Sequence, residues 1–174
     1  MTTNNKNTPC CDELYDKLAN QEAIIKEKLF TGRKNCFTTA KEFYETPKLN
    51  SGKSFKISAK DEFCRIDLDA VFPKGGGEVS KTDYVYYQCN TKNYYFVELK
   101  GTDLPKAYKQ IVASISYFKK RQEALQNNKV TAIIVHTKTN NKTINLGKLN
   151  NKKDFRANYG KDLLYEENSF EMSV

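Results

Sequence analysis

The segment at 130–137, VTAIIVHT, restricts the fold of this chain more than any other feature. Its apolar run is continuous rather than alternating, which is the pattern of a strand buried on both faces. Other elements must therefore cover each side of the sheet that contains it. Segments with helical periodicity are available on the same chain, so this strand favours an α/β fold.

Three further segments have strand patterns. Two aromatic and β-branched runs, TDYVYYQC at 82–89 and YYFVELKG at 94–101, flank the turn-forming NTKN and predict an antiparallel hairpin. An alternating pattern from Ser54 to Phe72 predicts an earlier strand, and LLYEE predicts a last edge strand.

Helical patterns lie on both sides of the predicted hairpin. Residues 11–30 carry a one-sided apolar stripe, and 104–127 repeats apolar residues at spacings of three, four or seven. A shorter helix is expected near 152–159. The stretch 31–52 has no clear period and stays unassigned, although TTAKEFYE is compatible with a helical turn or two.

The order of these elements predicts one α/β domain with a mixed sheet over 1–174, preceded by a disordered tail at 1–10. No apolar run reaches the roughly 18 residues that a membrane span needs, and the N-terminus lacks the apolar stretch of a signal peptide. We therefore expect a cytoplasmic protein with no membrane association. SGKS at 51–54 mimics the end of a Walker motif, but Pro47 stands where its first glycine should be, which excludes an NTPase.

The cysteines support a reducing compartment. They are odd in number and show no C-x-x-C spacing, which argues against a disulfide framework and against a zinc site. The five are Cys10, Cys11, Cys36, Cys64 and Cys89.

Charge is distributed unevenly along the chain. The formal net charge is +8, from 29 Lys and Arg against 21 Asp and Glu. Positions 105–161 alone carry 13 basic and 2 acidic residues, interleaved with aromatic side chains. Such a region is typical either of a nucleic-acid surface or of ordinary solvated helix and loop faces.

Two carboxylates and one amine are predicted to meet on the hairpin. Glu98 and Lys100 are two apart on one strand and share a face. If the loop is centred on 91–92, Asp83 pairs with Lys100 and Val85 with Glu98, so Asp83 joins the same face. Two carboxylates with a main-chain carbonyl and waters suit Mg²⁺, and a lysine beside them could hold or deprotonate an attacking water. An exposed salt bridge on a sheet face is the common alternative for any E-x-K sequence.

The segment KTDYVYYQCNTKNYYFVELKGTDLPKAYKQI, residues 81–111, resembles the core of the PD-(D/E)xK nuclease superfamily. An Asp starts one strand, the Glu of an E-x-K follows 15 residues later at the end of the next, and a Gly and a helix with Gln come after it. Thr82 stands where the literal signature has proline. The resemblance implies a restriction-endonuclease-like α-β-β-β-α-β core with a mixed central sheet flanked by helices.

The resemblance also implies a function and its residues. Asp83, Glu98 and the carbonyl of Leu99 would bind Mg²⁺, with Mn²⁺ as a substitute, and Lys100 would be the catalytic lysine with Gln110 nearby. The expected activity is phosphodiester hydrolysis in DNA rather than RNA. The residues expected to contact nucleic acid are Lys106, Lys109, Lys119, Lys120 and Arg121.

Several alternatives stay open at this point. Glu22 or Glu27 of the first helix could add a carboxylate, and Asp69 could approach the same metal or belong to a solvated strand face with Asp67. His136 is expected to have a structural or surface role. The chain could instead be an inactive nucleic-acid-binding or protein-interaction module on the same fold. It could also be a nuclease subunit of a larger DNA-processing or phage-defence assembly, and a homodimer or a partner subunit is compatible with the sequence.

Overall fold

The structure is a computed structural model that describes residues 37–46, 52–68, 80–121, 125–138 and 142–174. The tail at 1–10 and the predicted helix at 11–30 lie outside the described residues. Seven strands and two α-helices are present in the described part of the chain, together with a short 3-10 helix at Asn127–Lys129. The strands and helices are, in chain order, β1 (Phe37–Glu45), β2 (Ser54–Asp67), β3 (Tyr84–Gln88), β4 (Asn93–Lys100), α1 (Leu104–Arg121), β5 (Val130–His136), α2 (Lys142–Asn158), β6 (Asp162–Glu167) and β7 (Ser169–Ser173).

The strands form one mixed seven-stranded sheet. Its order is β1-β2-β3-β4-β5-β6, and β7 pairs with β2. The first four strands are antiparallel neighbours, whereas β4, β5 and β6 run parallel. Helix α1 connects β4 to β5, as a parallel pair requires. The fold class is therefore α/β with a mixed sheet, as the sequence pattern predicts.

Strand β2 is 14 residues long and serves two parts of the sheet. Its first half, Ser54 to Ser58, pairs in parallel with β7, and its second half, Phe63 to Asp67, pairs with β3. The chain passes from β6 into β7 through Asn168, whose φ of 61° allows the sharp change of direction. The last strand of the chain is thereby returned to the first half of β2.

Apolar side chains pack on both faces of the sheet, as the continuous run at 130–137 predicts. One cluster lies between the sheet and the helices, and the other lies on the opposite face beneath the first half of β2 and β7. Strand β5 divides its side chains between them: Ala132 and Ile134 join the helix-side cluster, and Ile133 and Val135 join the other. All four are fully buried.

Several element boundaries differ from the sequence prediction. The unassigned stretch contains strand β1, and TTAKEFYE forms part of this strand rather than a helical turn. The described part of α1 ends at Arg121, and Leu125 and Gln126 are not helical, so the predicted extension to 127 is wrong. Helix α2 spans 17 residues and is much longer than the segment predicted at 152–159.

The cysteine prediction is also corrected. Cys64 and Cys89 are disulfide-bonded, although the odd cysteine count argued against disulfides. Cys64 is fully buried in β2, and Cys89 lies in the turn between β3 and β4. Of the helices described, none combines the length and the apolar character needed to cross a bilayer.

Candidate active site

The predicted residues meet where β3 begins and β4 ends. Asp83 comes directly before β3, and Glu98 and Lys100 lie on either side of Leu99 at the end of β4. The hairpin pairs Tyr84 with Val97, which brings Asp83 beside Glu98 rather than opposite Lys100. The predicted register is therefore wrong by two residues, because the turn is centred one residue earlier and includes Lys92 with a φ of 58°. A slip of two keeps every side chain on its face, so the three residues still lie together.

Each of the two carboxylates is held by a main-chain amide from the other strand. The N–H of Asp83 donates to Oε2 of Glu98 at 3.1 Å, and the N–H of Leu99 donates to Oδ2 of Asp83 at 2.8 Å. This reciprocal pair of hydrogen bonds fixes both side chains against rotation. The site geometry therefore follows directly from the hairpin.

Lys100 and Gln110 connect the hairpin to α1. The Lys100 ammonium donates to Oε1 of Glu98 at 3.3 Å and to Oε1 of Gln110 at 2.7 Å. Gln110 in turn donates from Nε2 to the main-chain oxygen of Lys81 at 2.8 Å. The Gln110 side-chain amide therefore links the main chain of Lys81 to the Lys100 ammonium, and it holds that ammonium beside Glu98.

Thr82 and Ser114 support this arrangement, and sequence reasoning did not identify that role. Thr82 is fully buried; its hydroxyl donates to the carbonyl of Val97 at 2.6 Å, and its N–H donates to Oγ of Ser114 at 2.8 Å. These bonds fasten the start of β3 to both β4 and α1. Ser114 lies one helical turn after Gln110, so two polar residues at a spacing of four on the otherwise apolar side of α1 were the available signal.

Glu98 is nearly inaccessible, and its charge is costly. Burial, followed by the neighbouring charge of Asp83, raises the pKa of Glu98 to about 8, although the Lys100 ammonium acts in the opposite direction. Two neighbouring carboxylates favour the binding of a cation, because a cation lowers the free-energy cost of keeping both ionised. Hard oxygen donors are the ligands that Mg²⁺ prefers, so this donor set fits Mg²⁺.

The donor set is also small. Within the described ranges, no group of three or more His, Cys, Asp or Glu side chains is placed to hold a metal ion. A cation at Asp83 and Glu98 would therefore need main-chain oxygen, such as that of Leu99 next to Glu98 in the sequence, and water. Magnesium retains several waters in many protein sites, so two carboxylates are compatible with it.

The predicted nucleic-acid contacts have different surroundings. Lys106 and Lys109 are exposed in the first turns of α1, and Lys106 lies one turn before Gln110 on the same side of the helix. Lys120 is exposed near the end of α1, whereas the Lys119 ammonium binds Asn127 and the carbonyl of Asn158. The Lys119 ammonium is thus engaged in hydrogen bonds within the protein. The side chain of Arg121 lies outside the described residues.

The other candidates have different outcomes. Glu22, Glu27 and Asp69 all lie outside the described residues. His136 is the last residue of β5 and is fully buried, so a surface position for it is wrong. It pairs with Lys100 across the parallel strands and therefore shares the face of the site.

No protein-family model, curated protein or solved structure matches this chain.

Proposed function

We propose that this protein is a Mg²⁺-dependent nuclease of the PD-(D/E)xK type, which hydrolyses phosphodiester bonds in DNA. The observation that carries the proposal is the single hydrogen-bonded cluster of Asp83, Glu98 and Lys100 where β3 begins and β4 ends. An isolated E-x-K on a solvated sheet face would have exposed partners. Here Glu98 is 1% exposed, which the ordinary surface salt bridge does not explain.

The carboxylates of Asp83 and Glu98, with the carbonyl of Leu99, would hold the metal. A bound Mg²⁺ would supply Lewis-acid stabilisation of phosphate charge and a lowered pKa for a coordinated water. Lys100 would orient the attacking water through an N–H donor that faces the same cluster. Two of its three ammonium protons are used by Glu98 and Gln110, which leaves one for that water.

Helix α1 would supply contacts to the polyanion. It begins four residues after Lys100, and Asp103 caps it by accepting a hydrogen bond from the N–H of Lys106 at 3.1 Å. The exposed Lys106 and Lys109 lie in the first two turns of α1, the end of the helix that is nearer to Lys100 in the sequence. Phosphate neutralisation by such residues releases counterions and makes binding sensitive to salt. The preference for DNA over RNA rests on the family resemblance alone.

The test is cleavage of supercoiled plasmid and of matched DNA and RNA oligonucleotides by purified protein with Mg²⁺ or Mn²⁺. We expect cutting of DNA that is abolished by EDTA and by Lys100→Ala. Lys60→Ala, at an exposed position of β2, is the matched control and should cut like the wild type. Equal cutting by wild type and Lys100→Ala would refute the assigned mechanism, and cutting of RNA alone would refute the substrate.

A second function, nucleic-acid binding without catalysis, is favoured by one observation. The described residues bring only two carboxyl groups together at this point, and the Lys100 ammonium already binds one of them. Such a cluster could serve as a structural ion pair beneath a basic helix. This alternative predicts salt-sensitive binding to DNA with no cleavage in any divalent metal, and Lys106→Ala should then weaken binding while Lys100→Ala should leave it intact.

A further inference from the structure

Among the described buried polar side chains that have no assigned role, His136 lies closest in the sheet to the proposed site. It pairs with Lys100 of β4 on one side and with Glu167 of β6 on the other. Neighbouring strands lie about 4.8 Å apart, and paired residues project to the same face. The imidazole therefore stands beside Lys100 at the carboxyl ends of the parallel strands.

The hydrogen bonding of the ring fixes its tautomer. Nδ1 lies 2.7 Å from the main-chain oxygen of Thr137, and a carbonyl can only accept, so Nδ1 carries the proton in the neutral ring. Nε2 is then an acceptor. It is buried, and in the described part of the chain it has no hydrogen-bond partner.

A packing role does not account for this nitrogen. The ring is fully buried, and its centroid lies 6.3 Å from that of Tyr165 in an edge-on contact that a phenyl ring could also make. An unpaired buried acceptor is destabilising, and such groups are rare in native proteins. The paired Glu167 cannot satisfy Nε2 when ionised, because a carboxylate only accepts.

A water held by Lys100 would satisfy both groups. Its oxygen would accept the third ammonium proton of Lys100, and one of its O–H bonds would donate to Nε2 of His136. These two hydrogen bonds use one lone pair and one O–H of the water, so its second lone pair points in a defined direction. Holding a nucleophile in one orientation lowers the entropic part of the reaction barrier.

We infer that Nε2 of His136 accepts a hydrogen bond from the water that Lys100 holds for attack on the phosphate. This inference rests on the proposed nuclease function and names a further residue of that site. His136 forms no covalent bond in this role. As the water oxygen bonds to phosphorus and the ester P–O bond breaks, the other proton of the water passes to bulk solvent, and the leaving oxygen takes up a proton from solvent. It fixes the orientation of the water, and Lys100 fixes its position.

Substitutions that separate the two ring nitrogens test the role. Asparagine retains a donor near the position of Nδ1 but has nothing near Nε2, whereas glutamine places a carbonyl oxygen near Nε2. We expect His136→Asn and His136→Phe to lower kcat about 10- to 100-fold with little change in KM, and His136→Gln to recover to within about tenfold of the wild type. A purely structural histidine would give no such difference between the Asn and Gln variants at equal thermal stability.

A spectroscopic readout does not depend on activity. The chain has 1 histidine, so its imidazole nitrogens need no assignment in a two-bond ¹H–¹⁵N spectrum. At pH 8 we expect the Nδ1-protonated tautomer, which is the minor form of free histidine. An Nε2-protonated ring would overturn the inference even if every variant folds poorly.

The outcomes separate this inference from the function on which it rests. A wild type that cuts DNA, with all three His136 variants cutting equally well, overturns the role of His136 and leaves the nuclease intact. A wild type that cuts nothing overturns both. Loss of cutting in the Asn and Phe variants, recovery with Gln and the Nδ1-protonated tautomer together support the inference.

Discussion

Replacing Glu98 with glutamine should make the protein more stable at neutral and alkaline pH but not at acidic pH. Burial and the charge of Asp83 raise the pKa of Glu98 to about 8 in the folded protein, from an ordinary value of 4.5. Between these two values the unfolded chain is ionised at this position while the folded protein still holds the proton. Folding is therefore favoured at low pH, and this contribution is lost as the pH rises through the interval.

The size of the effect follows from the same two values. Each tenfold change in proton affinity is worth about 1.4 kcal/mol, so the interval corresponds to a loss of up to about 5 kcal/mol between pH 4.5 and pH 8. Glutamine resembles the protonated carboxyl in shape and cannot ionise. Its NH₂ group cannot accept the hydrogen bond that one of the two Glu98 oxygens accepts, and this loss does not depend on pH. The free energy of unfolding of the Glu98→Gln protein should therefore rise relative to that of the wild type between pH 4.5 and pH 8, and no further above pH 8.

Urea unfolding followed by circular dichroism, in EDTA and at a series of pH values, measures the difference directly. We expect the Glu98→Gln protein to gain stability relative to the wild type as the pH rises, and the difference to level off above about pH 8. Glu171→Gln, at an exposed position of β7, is the matched control and should show no such trend. A difference that is flat with pH, or that falls as the pH rises, would refute the proposed electrostatics of the site.

Two further pairs of variants test the support of the site and the packing of the sheet. Thr82→Val removes a buried hydroxyl that donates to a β4 carbonyl, and it should lower the free energy of unfolding by about 1–3 kcal/mol. Ser58→Ala removes an exposed hydroxyl that bonds to Ser173 and should cost far less, and equal losses in urea would contradict the anchoring role. Gly160→Ala places a Cβ against the Phe155 ring and 2.7 Å from the main-chain oxygen of Val130, and it should destabilise the protein by about 1–3 kcal/mol. Gly147→Ala, with open space in an exposed part of α2, should stabilise it by about 1 kcal/mol. Thermal melting measures both, and a Gly160→Ala protein as stable as the wild type would contradict the described packing.

Strand alternation was sufficient to predict that Asp83, Glu98 and Lys100 lie together, although the predicted register was wrong. Because the side-chain period of a strand is two, any slip of two residues returns Asp83, Glu98 and Lys100 to one face. The loop centre could not be read from NTKN, since several turns fit these residues. Gln110 followed from the family resemblance, and its contact with Lys100 depends on how α1 docks onto the sheet.

Elements with broken periodicity were missed. Strand β1 has a register shift between Ala40 and Glu42, and this bulge interrupts the alternation that would identify a strand. Glu45 at its end is buried by Arg65 and by the hydroxyl of Tyr86, which donates to it at 2.9 Å. Those contacts join residues 20 and 41 positions apart, so no local pattern reveals them.

Direct titration with Mn²⁺ tests most directly whether Asp83 and Glu98 form a divalent-metal site. Calorimetry in two buffers of different ionisation enthalpy gives both the affinity and the number of protons released. We predict saturable binding that Asp83→Asn abolishes, with proton release near pH 7 because Glu98 must lose its proton to bind the cation. Equal binding by wild type and Asp83→Asn, or binding without proton release, would contradict a metal-dependent site at these carboxylates.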